Sequence, residues 1–345
     1  MNYVRLGETG VKVSQLCLGT WHLPPSKEVD TWGVPRVDEE LALKIMRRAY
    51  DSGVNCIDTA NGYHGILQSE EPHHVGNAER IVGNFLAQVE RESVLVFTKV
   101  RAPITPWPNG EGLSRKHIRW QIRESLRRLR TQYVDLYQIH WRDPETPRLE
   151  TLRTLDWLVR EGKVNYIGES NHPAHEIVDF LRLSEVHGLE KFVTMQEPYS
   201  LVERWIEREK VPVAKEHGLA ILAFVPLAQG LLTGKYVDFQ ARKWRVPEMS
   251  RATYVKDFSP SSWFNEANLN ALLRLKALAD QKGVSMAQLS LAWLIKRGEE
   301  LGVTVIPLMG ATRLEHLEDN LGALEVKLSQ DDVRELEEVS KSFSR

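Results

Sequence analysis

Residues 94–140 read VLVFTKVRAPITPWPNGEGLSRKHIRWQIRESLRRLRTQYVDLYQIH. Two short apolar runs, 94–100 and 134–140, bracket a loop and an amphipathic segment. Both runs are rich in β-branched and aromatic residues and largely lack polar alternation, the pattern of strands buried on both faces. Residues 114–130 open on a serine suited to cap a helix. They set Ile118, Ile122, Leu126 and Leu129 on one face, which predicts a helix. Strand, helix and strand in this order make a parallel βαβ unit. Each strand finishes on a residue capable of chemistry, Lys99 in the first and His140 in the second.

The alternation continues in both directions. Strands are predicted at 14–18, 56–59, 165–169, 192–196, 220–224 and 304–307. Helices are predicted at 39–52, 149–160, 174–186, 204–216, 265–282, 287–297 and 315–321. About eight βα repeats point to a parallel sheet closed on itself, a (β/α)8 TIM barrel of the α/β class, as a single domain over residues 1–345. An open doubly wound sheet would carry a Gly-rich phosphate turn after its first strand, and Leu18-Gly19-Thr20-Trp21 is no such turn. Residues 4–6 and 11–13 around Glu8-Thr9-Gly10 predict an N-terminal β-hairpin ahead of the barrel. The extended loops 23–37, 61–76, 101–113 and 226–264 are rich in Pro, Trp, Asn and Gly. In a barrel the loops that follow strands gather at the C-terminal mouth, where chemistry sits.

The 345 residues are 42% hydrophobic and 27% charged, an ordinary globular balance, with a net charge of −2. That charge gives no long-range attraction to nucleic acid or to an anionic membrane. The two cysteines, Cys17 and Cys56, lie in apolar runs and read as buried free thiols. The first residues contain no apolar signal core, and no stretch is long and apolar enough to span a bilayer, so a cytoplasmic protein is expected. Nothing in the sequence sets an oligomeric state.

Asp58, Tyr63, Lys99 and His140 all fall at or just past predicted strand ends, which converge on one mouth in a barrel. Singly, each has an ordinary reading as a turn former or rim residue. Together they suit carbonyl chemistry. A phenol has an unperturbed pKa of about 10, and a neighbouring ammonium is expected to lower it. A carboxylate beside the ammonium holds it charged, and an imidazole can bond the carbonyl oxygen or assist proton transfer.

At these residues the chain resembles the aldo-keto reductase superfamily, over essentially its whole length. It looks nearest to the bacterial and potassium-channel β-subunit-like members. Asp58-Thr59-Ala60 with Tyr63 resembles a DTA…Y motif, Thr98-Lys99 the catalytic lysine strand, and Asp135-Leu136-Tyr137-Gln138-Ile139-His140 a D-L-x-x-x-H strand. Gly168-Glu169-Ser170-Asn171 is similar to a G-x-S-N segment, and Gln196 with Tyr199-Ser200 to Q-x-x-Y-S. The resemblance implies Asp58, Tyr63, Lys99 and His140 as catalytic residues and NADPH/NADP+ as cofactor, with NADH as the alternative. It further implies that Ser170, Asn171 and Gln196 hold the nicotinamide carboxamide and that Phe224 stacks on the ring. Leu227, Gln229, Gly230 and Lys235 match a pyrophosphate-contacting loop. Gly310, Thr312, Arg313, His316, Asp319 and Asn320 match a clamp for the adenosine phosphate, at the start of a helix suited to an anion. Gly19, Thr20, Trp21 and Pro226 complete the implied cofactor set. His316 departs from the pattern, since many members have Arg or Gln there.

The expected activity is reduction of an aldehyde or ketone to an alcohol by hydride transfer, with Tyr63 as general acid. Trp21, Trp107, Trp141 and Trp244, with Tyr63 and His140, are the expected substrate contacts. A second reading is an NADP(H)-binding redox-sensing or regulatory subunit with little turnover. Glu70, Glu71, His73 and His74 crowd the loop 68–77, but Pro72 breaks any helical pairing of ligands, so no metal is expected. Glu79 is expected to begin the helix after that loop. Strand-end H-x-H pairs of a metal-dependent barrel hydrolase are missing. The sequence leaves the physiological carbonyl substrate open.

Overall fold

The computed structural model describes residues 1–31, 34–66, 74–248, 250, 252 and 263–343. A hairpin of β1 (Tyr3–Arg5) and β2 (Lys12–Ser14) leads into β3 (Cys17–Gly19). A small two-stranded sheet follows, β4 (Pro25–Val29) with β5 (Pro35–Val37), where only a loop is expected from the sequence. Strands and helices then alternate: α1 (Glu39–Asp51), β6 (Cys56–Asp58), α2 (Asn77–Leu86), β7 (Leu95–Val100), α3 (Arg115–Leu129), β8 (Val134–Ile139) and α4 (Arg148–Arg160). They continue as β9 (Val164–Ser170), α5 (Ala174–His187), β10 (Phe192–Pro198), α6 (Ile206–His217) and β11 (Ala220–Phe224). A short pair, β12 (Val237–Asp238) and β13 (Lys243–Trp244), precedes α7 (Glu266–Lys282), α8 (Met286–Leu301), β14 (Val305–Met309), α9 (Leu314–Gly322) and α10 (Gln330–Lys341).

The barrel closes in the order β3-β6-β7-β8-β9-β10-β11-β14, and β14 pairs back onto β3. All eight pairings are parallel. This is the (β/α)8 barrel read from the alternation. Its first strand starts later than expected. Ser14 ends the hairpin instead, because its amide bonds the Asn55 side chain (2.8 Å) and its hydroxyl turns forward to the Leu16 carbonyl (2.7 Å).

Local chemistry sets the helix ends. Ser114 caps α3 through the His117 amide, and Ser285 with Gln288 forms a capping box at α8. The inner barrel is filled by Cys17, Cys56, Phe97, Leu136, Ala220, Leu222 and Ile306, joined by Leu6 and Val13 of the hairpin, which closes the N-terminal end. Gly7 makes that closure fit. Its φ is +61°, and a Cβ there would come within 2.4 Å of the Val193 carbonyl oxygen.

Cys17 and Cys56 form a disulfide, which corrects the reading of two free thiols. The register pairs Leu18 with Ile57, so the residue before each faces the other across neighbouring strands. Their Cα atoms are 4.9 Å apart, within the range a disulfide needs. Among the described residues, no helix is long and apolar enough to cross a membrane.

Candidate active site

Lys99 organises the mouth. It is fully buried on β7 and directs its ammonium to three acceptors: Asp58 Oδ1 at 2.6 Å, the Thr59 carbonyl at 2.8 Å and the Tyr63 hydroxyl at 3.1 Å. An ammonium has three N–H donors, so this set uses all of them. Asp58 is the last residue of β6, and Tyr63 follows in the turn beyond it. The second Asp58 oxygen accepts from the Gln196 amide (2.9 Å) and, at 3.4 Å, from Gln138. The Asp58 carbonyl accepts from both the amide and the hydroxyl of Thr20. Four strand ends are thereby tied to one carboxylate residue.

His140 follows β8. Its amide bonds the Val100 carbonyl (2.9 Å), and its ring stands edge-on to Tyr63 with centroids 5.6 Å apart. Among the described residues, its buried Nδ1 has no hydrogen-bond partner. Burial, reinforced by the positive charges of Lys99 and Arg101, holds this imidazole well below the ordinary histidine range, so it is neutral. Burial pushes the Tyr63 phenol above its ordinary value. The Lys99 ammonium opposes that push without cancelling it, and the Asp58 charge adds to it. This corrects the expectation of a lowered phenol: in the buried mouth desolvation outweighs the ammonium. Burial works against the Lys99 charge too, but Asp58 and the Tyr63 oxygen outweigh it and raise its pKa.

Ser170 ends β9 and donates to the Gln196 carbonyl (2.8 Å). Asn171 adopts a left-handed φ of +60° and donates to the Ser170 hydroxyl and the His140 carbonyl (2.8 and 3.0 Å). Half-buried Phe224 ends β11. After Pro226 and Leu227 the chain runs left-handed through Ala228, Gln229 and Gly230, a tight turn in which the Ala228 and Gly230 amides donate to the Val225 and Leu227 carbonyls. Gln229 Oε1 is buried there and unpartnered among the described residues. The bare α-carbon of Gly230 leaves room for Lys235, whose side chain would meet a Cβ at 2.4 Å.

After the neighbouring strand β14, α9 begins just after Arg313, whose side chain makes no capping bond. Both Nε and Nη2 of Arg313 reach His316 Nε2, at 3.1 and 2.6 Å, while Thr312 approaches Nδ1 of the same ring (3.4 Å). Burial, then Arg313 and Lys235, depress the His316 pKa. Asn320 bonds the Gly310 carbonyl, and Asp319 accepts from the Ser285 hydroxyl that caps α8. A left-handed loop with Lys235, and an open helix start with Arg313, fit a phosphate-bearing dinucleotide.

The tryptophans divide. Trp141 lies against His140, centroids 4.5 Å apart, and Trp21 follows Gly19 and Thr20 at the mouth, 39% exposed. Trp107 is 66% exposed and lines a separate hollow with Trp120 and Arg123. Trp244 packs on Phe264 and donates to the Asn265 carbonyl. Residues 67–73, and with them Glu70, Glu71 and His73, lie outside the described residues. His74 reaches Asp30 (2.8 Å). Glu79 lies in the first turn of α2, as expected, and is buried between Thr98 and Arg128. Gln138, which the sequence does not single out, joins the site through Asp58 and shares the inward parity of Leu136.

The sequence has counterparts elsewhere. The Aldo/keto reductase family matches residues 15–341. The chain is 33% identical to the L-glyceraldehyde 3-phosphate reductase of Escherichia coli (strain K12), over 94% of this chain and 88% of that protein. It is 32% identical to an aldo-keto reductase of Alternaria alternata, over 99% and 92% respectively. It is 31% identical to the versiconal hemiacetal acetate reductase of Aspergillus parasiticus, over 98% and 96%. With a closed parallel barrel, a lysine shared by a carboxylate and a phenol at its mouth, and full-length likeness to such reductases, this chain belongs to the aldo/keto reductase family.

Proposed function

We propose that this protein reduces aldehydes or ketones to alcohols with NADPH, and that Tyr63 supplies the proton. The observation that carries the reading is the contact of Lys99 with the Tyr63 hydroxyl at 3.1 Å, inside a ring of acceptors that keeps the ammonium charged. A bound nicotinamide supplies the hydride and the residues here supply everything else. Because burial keeps the phenol protonated, Tyr63 meets a carbonyl as an acid. The developing oxyanion lies against the phenol, with the Lys99 charge behind it. Neutral His140, its ring edge-on to Tyr63, orients the carbonyl oxygen. Loss of the proton leaves the Tyr63 oxygen beside Lys99, which stabilises the anion until it is reprotonated.

Ser170, Asn171 and Gln196 would hold the carboxamide, and Phe224 offers a flat apolar face to the ring. Lys235 and the left-handed loop would hold the pyrophosphate. Arg313, Thr312 and the start of α9 would hold a 2′-phosphate, which is the basis for NADPH over NADH. The test is carbonyl-dependent loss of NADPH absorbance across a panel of aldehydes and ketones, matched mole for mole by alcohol. A protein that binds NADPH yet turns over no carbonyl contradicts the reading.

A further inference from the structure

The proposed reaction fixes where a carbonyl sits but not what else the substrate carries. One residue beside the site makes no contact with the Lys99–Tyr63 pair and enters that chemistry only through the charge that helps keep His140 neutral. Arg101 lies two residues beyond Lys99. Before it, the Val100 carbonyl accepts from the His140 amide. After it, Ala102 packs so closely on Gly62, the neighbour of Tyr63, that a Cβ on that glycine would lie 2.6 Å from the Ala102 methyl. The Arg101 backbone is thus wedged between the segments that carry the proton donor and the imidazole.

That backbone has a φ of +137°, a region that favours glycine, with its carbonyl held by the Gly112 amide (3.0 Å). A non-glycine residue there is strained, and such strain persists where the surroundings over-determine it. The side chain is placed just as firmly. Its Nε donates to the Arg142 carbonyl (3.2 Å), and Nη1 donates to Glu111 (2.8 Å). The guanidinium carbon stands 5.1 Å from the Trp141 ring centre, and that indole packs on His140. Among the described residues, Nη2 has no partner. The Glu111 side chain is 55% exposed, against 19% for Arg101. A mostly solvated carboxylate therefore rests on a mostly covered guanidinium, at the rim of a carbonyl site.

We propose that Arg101 is a specificity-determining residue that selects carbonyl substrates bearing a carboxylate, with Glu111 as the internal carboxylate that such a substrate displaces. The proposal rests on the carbonyl-reductase reading above. Glu111 demonstrates that a carboxylate fits the guanidinium, and the fork of an arginine suits a second, bidentate one. Trp141 gives the connecting part of the substrate an apolar wall leading to His140.

The test compares kcat/KM for 4-carboxybenzaldehyde with that for its neutral methyl ester. The wild-type ratio should favour the carboxylate and fall with added salt. Arg101→Gln should lower the ratio about ten- to a hundredfold, chiefly through KM for the charged aldehyde. Arg101→Lys should restore part of it, and Glu111→Gln should raise the ratio above wild type by removing the competitor. Equal losses for both aldehydes in Arg101→Gln would mean the arginine only braces the loop and would overturn the proposal. If wild type reduces neither aldehyde, the carbonyl panel decides the reductase reading separately, and binding of 4-carboxybenzoate by tryptophan fluorescence decides the anion site. Binding lost in Arg101→Gln upholds it, and binding unchanged in that variant overturns it.

Discussion

At the N-terminal end of the barrel, Cys56, Phe97 and Leu136 point inward beneath the hairpin residues Leu6 and Val13. Two residues further along the same three strands, Asp58, Lys99 and Gln138 meet in the lumen. A strand returns to the same face every second residue, so one lumen carries both rungs. The lower rung is apolar, sealed and crosslinked by Cys17–Cys56. The upper rung holds a buried ammonium whose every donor is used. The difference separates two tasks. Apolar packing and a crosslink hold the strands in register, and that register lets a charge be placed to fractions of an ångström where it would otherwise be too costly to bury. Changes to the lower rung should cost stability and spare chemistry. Changes to the upper rung should cost both.

The largest effect is expected from the upper rung. Lys99→Met leaves Asp58 buried beside two amides without its cation. Removing one partner of a buried ion pair costs about 3–5 kcal/mol, so unfolding in urea should begin at markedly lower concentration, with reductase activity lost. A variant as stable as wild type would mean that the pair contributes little to the fold. The lower rung should behave differently. Cys17→Ala with Cys56→Ala opens a crosslink spanning 39 residues and should cost about 2–4 kcal/mol, while the folded fraction keeps its kcat. Thiol titration of denatured, unreduced wild type should find no free thiol. Two free thiols would remove the crosslink from this account.

The smallest effect belongs to the rim. Arg313→Ala should weaken NADPH about ten- to a hundredfold and NADH little. Protonated His316 would tighten NADPH further, but its pKa lies below the ordinary histidine value of about 6.5. The preference for NADPH should therefore stay flat through neutral pH and sharpen only below that value. Titrations of both cofactors over a pH series check this, and equal losses for both in Arg313→Ala would mean that the arginine does not read the 2′-phosphate.

Much of this was legible in the sequence, for reasons that differ from residue to residue. The strand runs stood out because both faces are buried, and Asp58, Lys99 and His140 stood out because they interrupt apolar runs at their ends. The disulfide was hidden by composition: two cysteines in apolar runs read as thiols until the barrel order sets their strands side by side. The direction of the phenol's shift is not legible, because sequence displays the neighbouring lysine but not the desolvation that outweighs it. The start of β3 is not legible either, because it depends on a bond from the Ser14 amide to the Asn55 side chain, forty-one residues away. Arg101 gave no signal at all, since its interest lies in a backbone angle and in the indole beneath it.

The central claim is that a half-buried phenol held by Lys99 delivers the proton. Tyr63→Phe keeps the ring and removes one hydroxyl, so single-turnover reduction with saturating NADPH measures that claim alone. The account predicts NADPH affinity close to wild type and a turnover rate lower by about 10²–10⁴-fold. A Phe variant that reduces its aldehyde at the wild-type rate would contradict it.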